Sequence, residues 1–173
     1  MRDELRDVSE EDYLEYGFRL SDFDYTIHLL KSYEKDMNAG NQLKKSKILE
    51  KDPNISIEFI KEIDQNNWMK ILYLWQFGLW RLQAILEGMI MNRFLPSHQP
   101  LFGLRNKLNA MKKSGFKISE IEFSELCQWA RLRNALSHAP PEQFRPGPLR
   151  FDDLREYCSL VKKLCRRWDS QYN

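Results

Sequence analysis

WMKILYLWQFGLWRLQAILEGMIM, Trp68 to Met91, is the richest apolar stretch of the chain, and it reads as helix. Ile71, Trp75, Leu79, Leu82, Leu86 and Ile90 recur every three to four residues, the spacing of one helical face. Carried back through Ile63 and Ile60, the pattern runs from Ile55 to Phe94, longer than most globular helices. Asn66–Asn67 or Gly78 is where such a helix would break or kink; Pro96 and Pro100 end it. Lys70, Gln76, Arg81, Gln83 and Glu87 interrupt the apolar run. It is therefore a core-forming helix and not a membrane span, which needs about 18 or more apolar residues in succession.

The flanking sequence continues the helical reading. Upstream, Ser21 with Asp24 reads as a variant capping box, and Phe23, Ile27, Leu30 and Met37 follow at helical spacing. Gly40–Asn41 is read as the stop of this helix, and the polar residues 41–54, closing at Asp52–Pro53, as a loop. Residues 1–20 are acidic, with Tyr13, Tyr16, Phe18 and Leu20 interleaved, which leaves room for a short helix. Downstream, a third helix near Leu101 stops at Gly115, and Ser119 caps a fourth that runs to His138. The loop APPEQFRPGPLR, residues 139–150, holds four of the seven prolines. A last helix from Asp152 to Trp168 carries Leu154, Tyr157, Val161, Leu164 and Trp168 on one face. Strand patterns and internal repeats are lacking. The predicted fold is all-α: an antiparallel bundle of four main helices plus N-terminal and short extra helices. Within this single globular domain, residues 1–54 are an acidic helical segment packing on a bundle formed by residues 55–173.

Composition agrees. A chain of 173 residues with 42% apolar and 13% aromatic side chains can bury one core. The opening MRDELRDVSEED is charged throughout and has no secretory leader pattern, so a soluble cytoplasmic protein is expected. Cys127, Cys158 and Cys165 are odd in number and lack a CxxC pair, which points to neither a disulfide framework nor a zinc site. His28, His98 and His138 are scattered, and no metal or other cofactor is expected. Charge is uneven: residues 1–52 carry −4, residues 53–98 none, and residues 99–173 carry +6. The basic end is the candidate surface for a polyanion.

The second informative stretch is WARLRNALSHAPP, Trp129 to Pro141. Trp129, Leu132 and Leu136 form a core stripe. Asn134 and His138 are one turn apart on the opposite side. Arg133 lies about 140° from His138 on an ideal helix, so the two meet only if the last turn opens or a second chain supplies the other half. Pro140 disfavours helical geometry at Ala139 and leaves His138 at the helix C-terminus. The helix dipole there favours imidazolium, neighbouring arginines oppose it, and a group held near neutrality suits general acid–base chemistry. By spacing alone, the same residues read as a solvated polar face, or as an arginine bonding carbonyls of its own helix end.

RLRNALSH resembles the signature of the HEPN superfamily (higher eukaryotes and prokaryotes nucleotide-binding domain). Arg133, Asn134 and His138 fill its three places, with four residues between Arg and His. LWRLQAILEGMI resembles the family's second helix, LNAMKKSGFKIS its third helix and turn, and the likeness covers roughly residues 60–168. It implies a helical bundle that dimerises, bringing two motif copies together, and a metal-independent endoribonuclease of toxin–antitoxin or phage-defence type. The ribose 2′-OH would attack the adjacent phosphate, with His138 as general base or acid, Arg133 stabilising the phosphorane and Asn134 orienting groups. RNA would be the substrate, the homodimer the working form, and a cognate antitoxin or nucleotidyltransferase a partner. In one toxin group a tyrosine modified by such a transferase follows the histidine. Ala139–Pro140 stands there in this chain.

Arg131 and Arg145 are candidate substrate-binding residues beside the motif, with Arg150 nearby. Lys162, Lys163, Arg166 and Arg167 form either an RNA-tracking cluster or a solvated basic face. Phe144 reads as a stacking residue or as loop packing, Glu87 as a surface residue or a partner for a motif arginine, and Trp75 and Trp80 as packing residues. Two alternatives to a nuclease remain: a non-catalytic HEPN-like module that binds RNA or protein, and a plain helical interaction domain.

Overall fold

The computed structural model describes residues 18–97, 99–138 and 148–172. It is all-α: α1 (Leu20–Lys51), α2 (Ile57–Met89), α3 (Leu104–Lys113), α4 (Glu120–His138) and α5 (Phe151–Tyr172), with no strand among the described residues.

α1 corrects the sequence reading at both ends. Its cap is not Ser21 with Asp24: the Asp22 carboxylate accepts the Arg19 N–H at 2.6 Å. Nor does Gly40–Asn41 stop it, since the helix runs on to Lys51, through most of what reads as a loop. A helical glycine costs about 1 kcal/mol relative to alanine, and bonds to α2 on either side of Gly40 offset that. Asn67 donates to Asn38 at 2.9 Å, and Asn41 and Lys45 both donate to Asp64 at 2.7 Å. These pairs also show that α1 and α2 run in opposite directions. The Lys45 ammonium, with help from the Asn41 amide, holds the Asp64 carboxyl below the usual carboxylate range.

α2 begins where Ser56 Oγ accepts the Phe59 N–H at 3.2 Å, and it continues without a break through both Asn66–Asn67 and Gly78. Gly78 is a packing device. A Cβ there would lie 2.4 Å from Leu30 of α1 and 3.3 Å from Leu154 of α5, so any larger residue forces the Leu30 side chain to shift. After Met89 the chain winds into one π turn, Ile90–Phe94, closed by Leu95 N–H to the Ile90 carbonyl at 2.8 Å.

α3 ends at Gly115, whose φ of 93° is left-handed and gives the expected glycine stop. α4 opens on a full capping box: Ser119 Oγ accepts the Glu122 N–H at 3.2 Å, and the Glu122 carboxylate accepts the Ser119 N–H at 3.0 Å. The same carboxylate takes two bonds from Arg167 of α5, both 2.8 Å, and Arg167 also donates to the Lys117 carbonyl at 2.9 Å. Trp129 and Tyr157 then pack with ring centroids 5.1 Å apart, so α4 and α5 run in opposite directions.

The core joins all five helices. Phe23 and Leu30 of α1, Ile71, Trp75, Leu79, Leu82 and Leu86 of α2, Leu108 of α3, Leu126 of α4, and Leu154, Tyr157, Val161, Leu164 and Trp168 of α5 are all buried in one cluster. The predicted stripes of α2 and α5 are therefore the buried ones; only Ile60 at the start of the α2 stripe is half-exposed. Among the described residues no helix is long and apolar enough to cross a membrane.

The Arg167 clamp makes folding sensitive to acid. It pulls the Glu122 carboxyl from 4.5 down to about 2. A folded-state value below the unfolded one gives stability that is complete above pH 4.5 and disappears as pH falls through about 2. Glu122→Gln is expected to lower stability at pH 7 and to flatten the acid limb in that window, measured by urea unfolding at a series of pH values. An acid limb identical to the parent's would show that the clamp contributes nothing.

Candidate active site

The motif occupies the last two turns of α4, where the helix passes over the C-terminal half of α2. Trp129 anchors the approach. Its carbonyl accepts the Gln83 side-chain N–H at 2.8 Å, from a glutamine that is fully buried in α2. The amide oxygen of Gln83 has no partner among the described residues. Trp129, Leu132 and Leu136 pack against the core as half-buried side chains, which turns Arg133 and Asn134 toward α2 and solvent.

Arg133 is held from two sides. Its Nε and Nη2 donate to the Asn134 side-chain oxygen at 3.2 and 3.0 Å, and its Nη1 donates to Glu87 at 3.2 Å. Glu87 is thus the partner of the motif arginine, the second of its two sequence readings. Its side chain is only 14% exposed, and its other oxygen is bonded to Lys107 of α3. One carboxylate between two cations leaves one unit of positive charge at the site. The residue immediately before Gly88 thereby ties α2, α3 and α4 together.

Arg133, Asn134 and Ser137 line a pocket of about 260 Å³ with Trp80 and Ala84 of α2. The Ser137 hydroxyl donates back to the Arg133 carbonyl at 2.7 Å. A guanidinium has five N–H donors, and three of those on Arg133 are engaged among the described residues. Tyr157 lies fully buried in the core near Glu87 and Arg133. Burial first, then Cys165 and Glu87, push its phenol well above the usual range, while Arg133 opposes. Its hydroxyl has no partner among the described residues.

The other candidates divide. His138 is the last residue of α4; its side chain lies outside the described residues. Arg145 and Phe144 lie outside them altogether. Arg131 is exposed on α4. Of the basic cluster on α5, Lys162 is paired with Asp24 and Arg167 with Glu122. These two serve the fold, whereas Lys163 and Arg166 are exposed. Trp80 corrects the sequence reading. It is 44% exposed rather than buried in the core, standing at the motif pocket. The signal was available: Trp80 falls outside the Trp75–Leu79–Leu82–Leu86 stripe.

The cysteines Cys127, Cys158 and Cys165 are all buried free thiols. No group of His, Cys, Asp and Glu among the described residues is disposed to hold a metal ion. No protein-family model, curated protein or solved structure matches the chain.

Proposed function

We propose that this protein is a metal-independent endoribonuclease of HEPN type, acting in the cytoplasm as a homodimer in a toxin or phage-defence setting. The observation that carries the reading is the braced arginine. Arg133 is fixed by Glu87 and Asn134 at the rim of an open pocket, on a helix that ends five residues later at His138. A preorganised guanidinium in a half-buried site stabilises charge developing on a phosphoryl group without reorganising. In the reaction, the 2′-oxygen bonds to phosphorus as the P–O5′ bond breaks, giving a cyclic phosphate and a 5′-OH. His138 takes or returns the proton, and Arg131 and Arg145 hold the strand.

Pairing of two copies is supported by an apolar face beside the pocket. Tyr25, Leu29, Tyr33 and Phe77 line one depression, and Trp80 packs edge-on against Phe77 at 6.3 Å. Phe77 and Tyr25 are each 67% exposed. Together the five leave on the order of 600 Å² uncovered, the upper end for a monomer and near what one partner contributes to an ordinary interface.

The test is cleavage of single-stranded RNA by the purified protein in excess EDTA. The expected products carry cyclic-phosphate and 5′-OH ends, and cleavage persists in the chelator. Loss of activity in EDTA would exclude the mechanism. A non-catalytic RNA-binding or protein-interaction module is the second reading, and the engagement of three Arg133 donors within the protein favours it. It predicts RNA binding with no cyclic-phosphate product at any protein concentration.

A further inference from the structure

A groove of about 700 Å³ opens between α1, α2 and the start of α5, lined by Trp68, Trp75, Lys31, Lys35, Arg150 and Arg155, among others. Its size is in the range of roughly 300–1,000 Å³ typical of small-ligand sites. It shares no lining residue with the motif pocket, and along α2 Trp75 is about 18 Å from Glu87 at 1.5 Å per residue. We propose that this groove binds a nucleoside 5′-monophosphate, either free or as the 5′-phosphorylated end of an RNA strand. The proposal does not rest on the nuclease reading.

Three observations carry it. The first is an aromatic platform. Trp68 and Trp75 are two turns apart on α2, so they share a face, and their rings meet edge to face at 5.7 Å. The contact braces the Trp68 indole while leaving the residue 43% exposed. An exposed, braced indole is the stacking surface an unpaired base requires, and every base has a π face to offer.

The second is an unsatisfied donor. Trp75 is buried, yet its indole N–H has no acceptor among the described residues. Buried donors are rarely left without a partner, because the lost hydration is not recovered. The N–H is itself closed to solvent, so a ring nitrogen or carbonyl on a base edge reaches it only once the Trp75 ring shifts toward the groove it lines.

The third is charge. Lys31 and Lys35 stand one turn apart on α1, opposite Arg150 and Arg155 at the start of α5. Glu34 and Asp152 also line the groove, and Asp152 lies 3.6 Å from Arg155. Among the described lining residues the excess is two positive charges, which matches one phosphomonoester dianion rather than a run of backbone phosphates. The N-terminus of the 22-residue α5 adds to the same end, although Asp153 already accepts the Arg150 N–H at 2.7 Å.

The experiment is calorimetric titration of the full chain with 5′-AMP, adenosine and inorganic phosphate. A second arm uses short 2′-O-methyl oligonucleotides with and without a 5′-phosphate. Binding of 5′-AMP, with adenosine and phosphate each weaker by about tenfold or more, is expected for a free nucleotide. Binding confined to the 5′-phosphorylated oligonucleotide identifies the strand end as the ligand. In either case Trp68→Ala is expected to weaken affinity about tenfold, Trp68→Phe to retain it, and Lys35→Glu to weaken it. Trp68 is far enough from full burial for both variants to fold, which their helical circular dichroism checks. If no 5′-phosphorylated ligand binds, or if affinity is unmoved by Trp68→Ala, the proposal is overturned. Loss of affinity in Arg133→Ala with none in Trp68→Ala would assign the ligand to the motif pocket and overturn it equally.

Discussion

His138→Ala protein is expected to cut RNA about a hundredfold or more slowly than the parent, with unchanged helical circular dichroism. Positioned acid–base groups contribute roughly 10²- to 10⁴-fold to rate. His138 is the terminal residue of α4, where a substitution interrupts no turn of the helix. That separates it from the other motif residue of interest. Arg133→Ala also lowers activity under the same reading, but it leaves Glu87, 14% exposed, with Lys107 as its one remaining counter-charge among the described residues. Leaving a buried charge wholly unpaired costs about 3–5 kcal/mol; with Lys107 still bonded to Glu87 the cost is a fraction of that, and stability falls together with rate. Single-turnover cleavage beside a thermal melt distinguishes the two variants. A His138→Ala rate equal to the parent's would remove the imidazole from the reaction.

The largest expected effect on folding is at Trp168. The ring is fully buried, 5.7 Å from Phe94 at the end of the π turn, and its N–H reaches the Lys117 carbonyl at 3.3 Å. Phe94 packs in turn on Phe116 at 5.6 Å. One side chain thus joins the end of α2, the turn after α3 and the last turns of α5. Trp168→Ala is expected to cost about 3–5 kcal/mol through lost burial and the cavity left behind. For a chain of this size the melting temperature falls by about 10 °C. Differential scanning calorimetry measures it, and a fall of only a degree or two would mean that the neighbours collapse into the space.

Much of this architecture was legible from periodicity. The stripes of α2 and α5 are the buried faces, and the Ser119 cap and Gly115 stop stand where local chemistry puts them. Local chemistry failed at Gly40. A Gly–Asn pair is a good helix stop in isolation, but here Asn41 is committed to Asp64 across the helix pair, a contact remote in sequence. The candidate site was legible as a motif and not as a geometry. Arg133 and Asn134 were named together, and they touch; the second holder of Arg133, Glu87, is forty-six residues away in sequence and is recognisable only as a charge inside an apolar run. Trp80 was missed because tryptophan in an apolar helix is assumed to be inside. The aromatic groove at Trp68 was missed altogether, since it is assembled from three separate helices.

The thiols have a practical use. All three cysteines of the chain are sheltered in the folded interior, and burial pushes Cys158 upward and Cys165 up to about 12. An alkylating reagent added to the native protein at neutral pH therefore finds almost no thiolate at Cys165. Labelling of Cys165 must wait for the chain to open, so the rate of iodoacetamide incorporation there becomes a built-in clock for how often that part of the domain breathes.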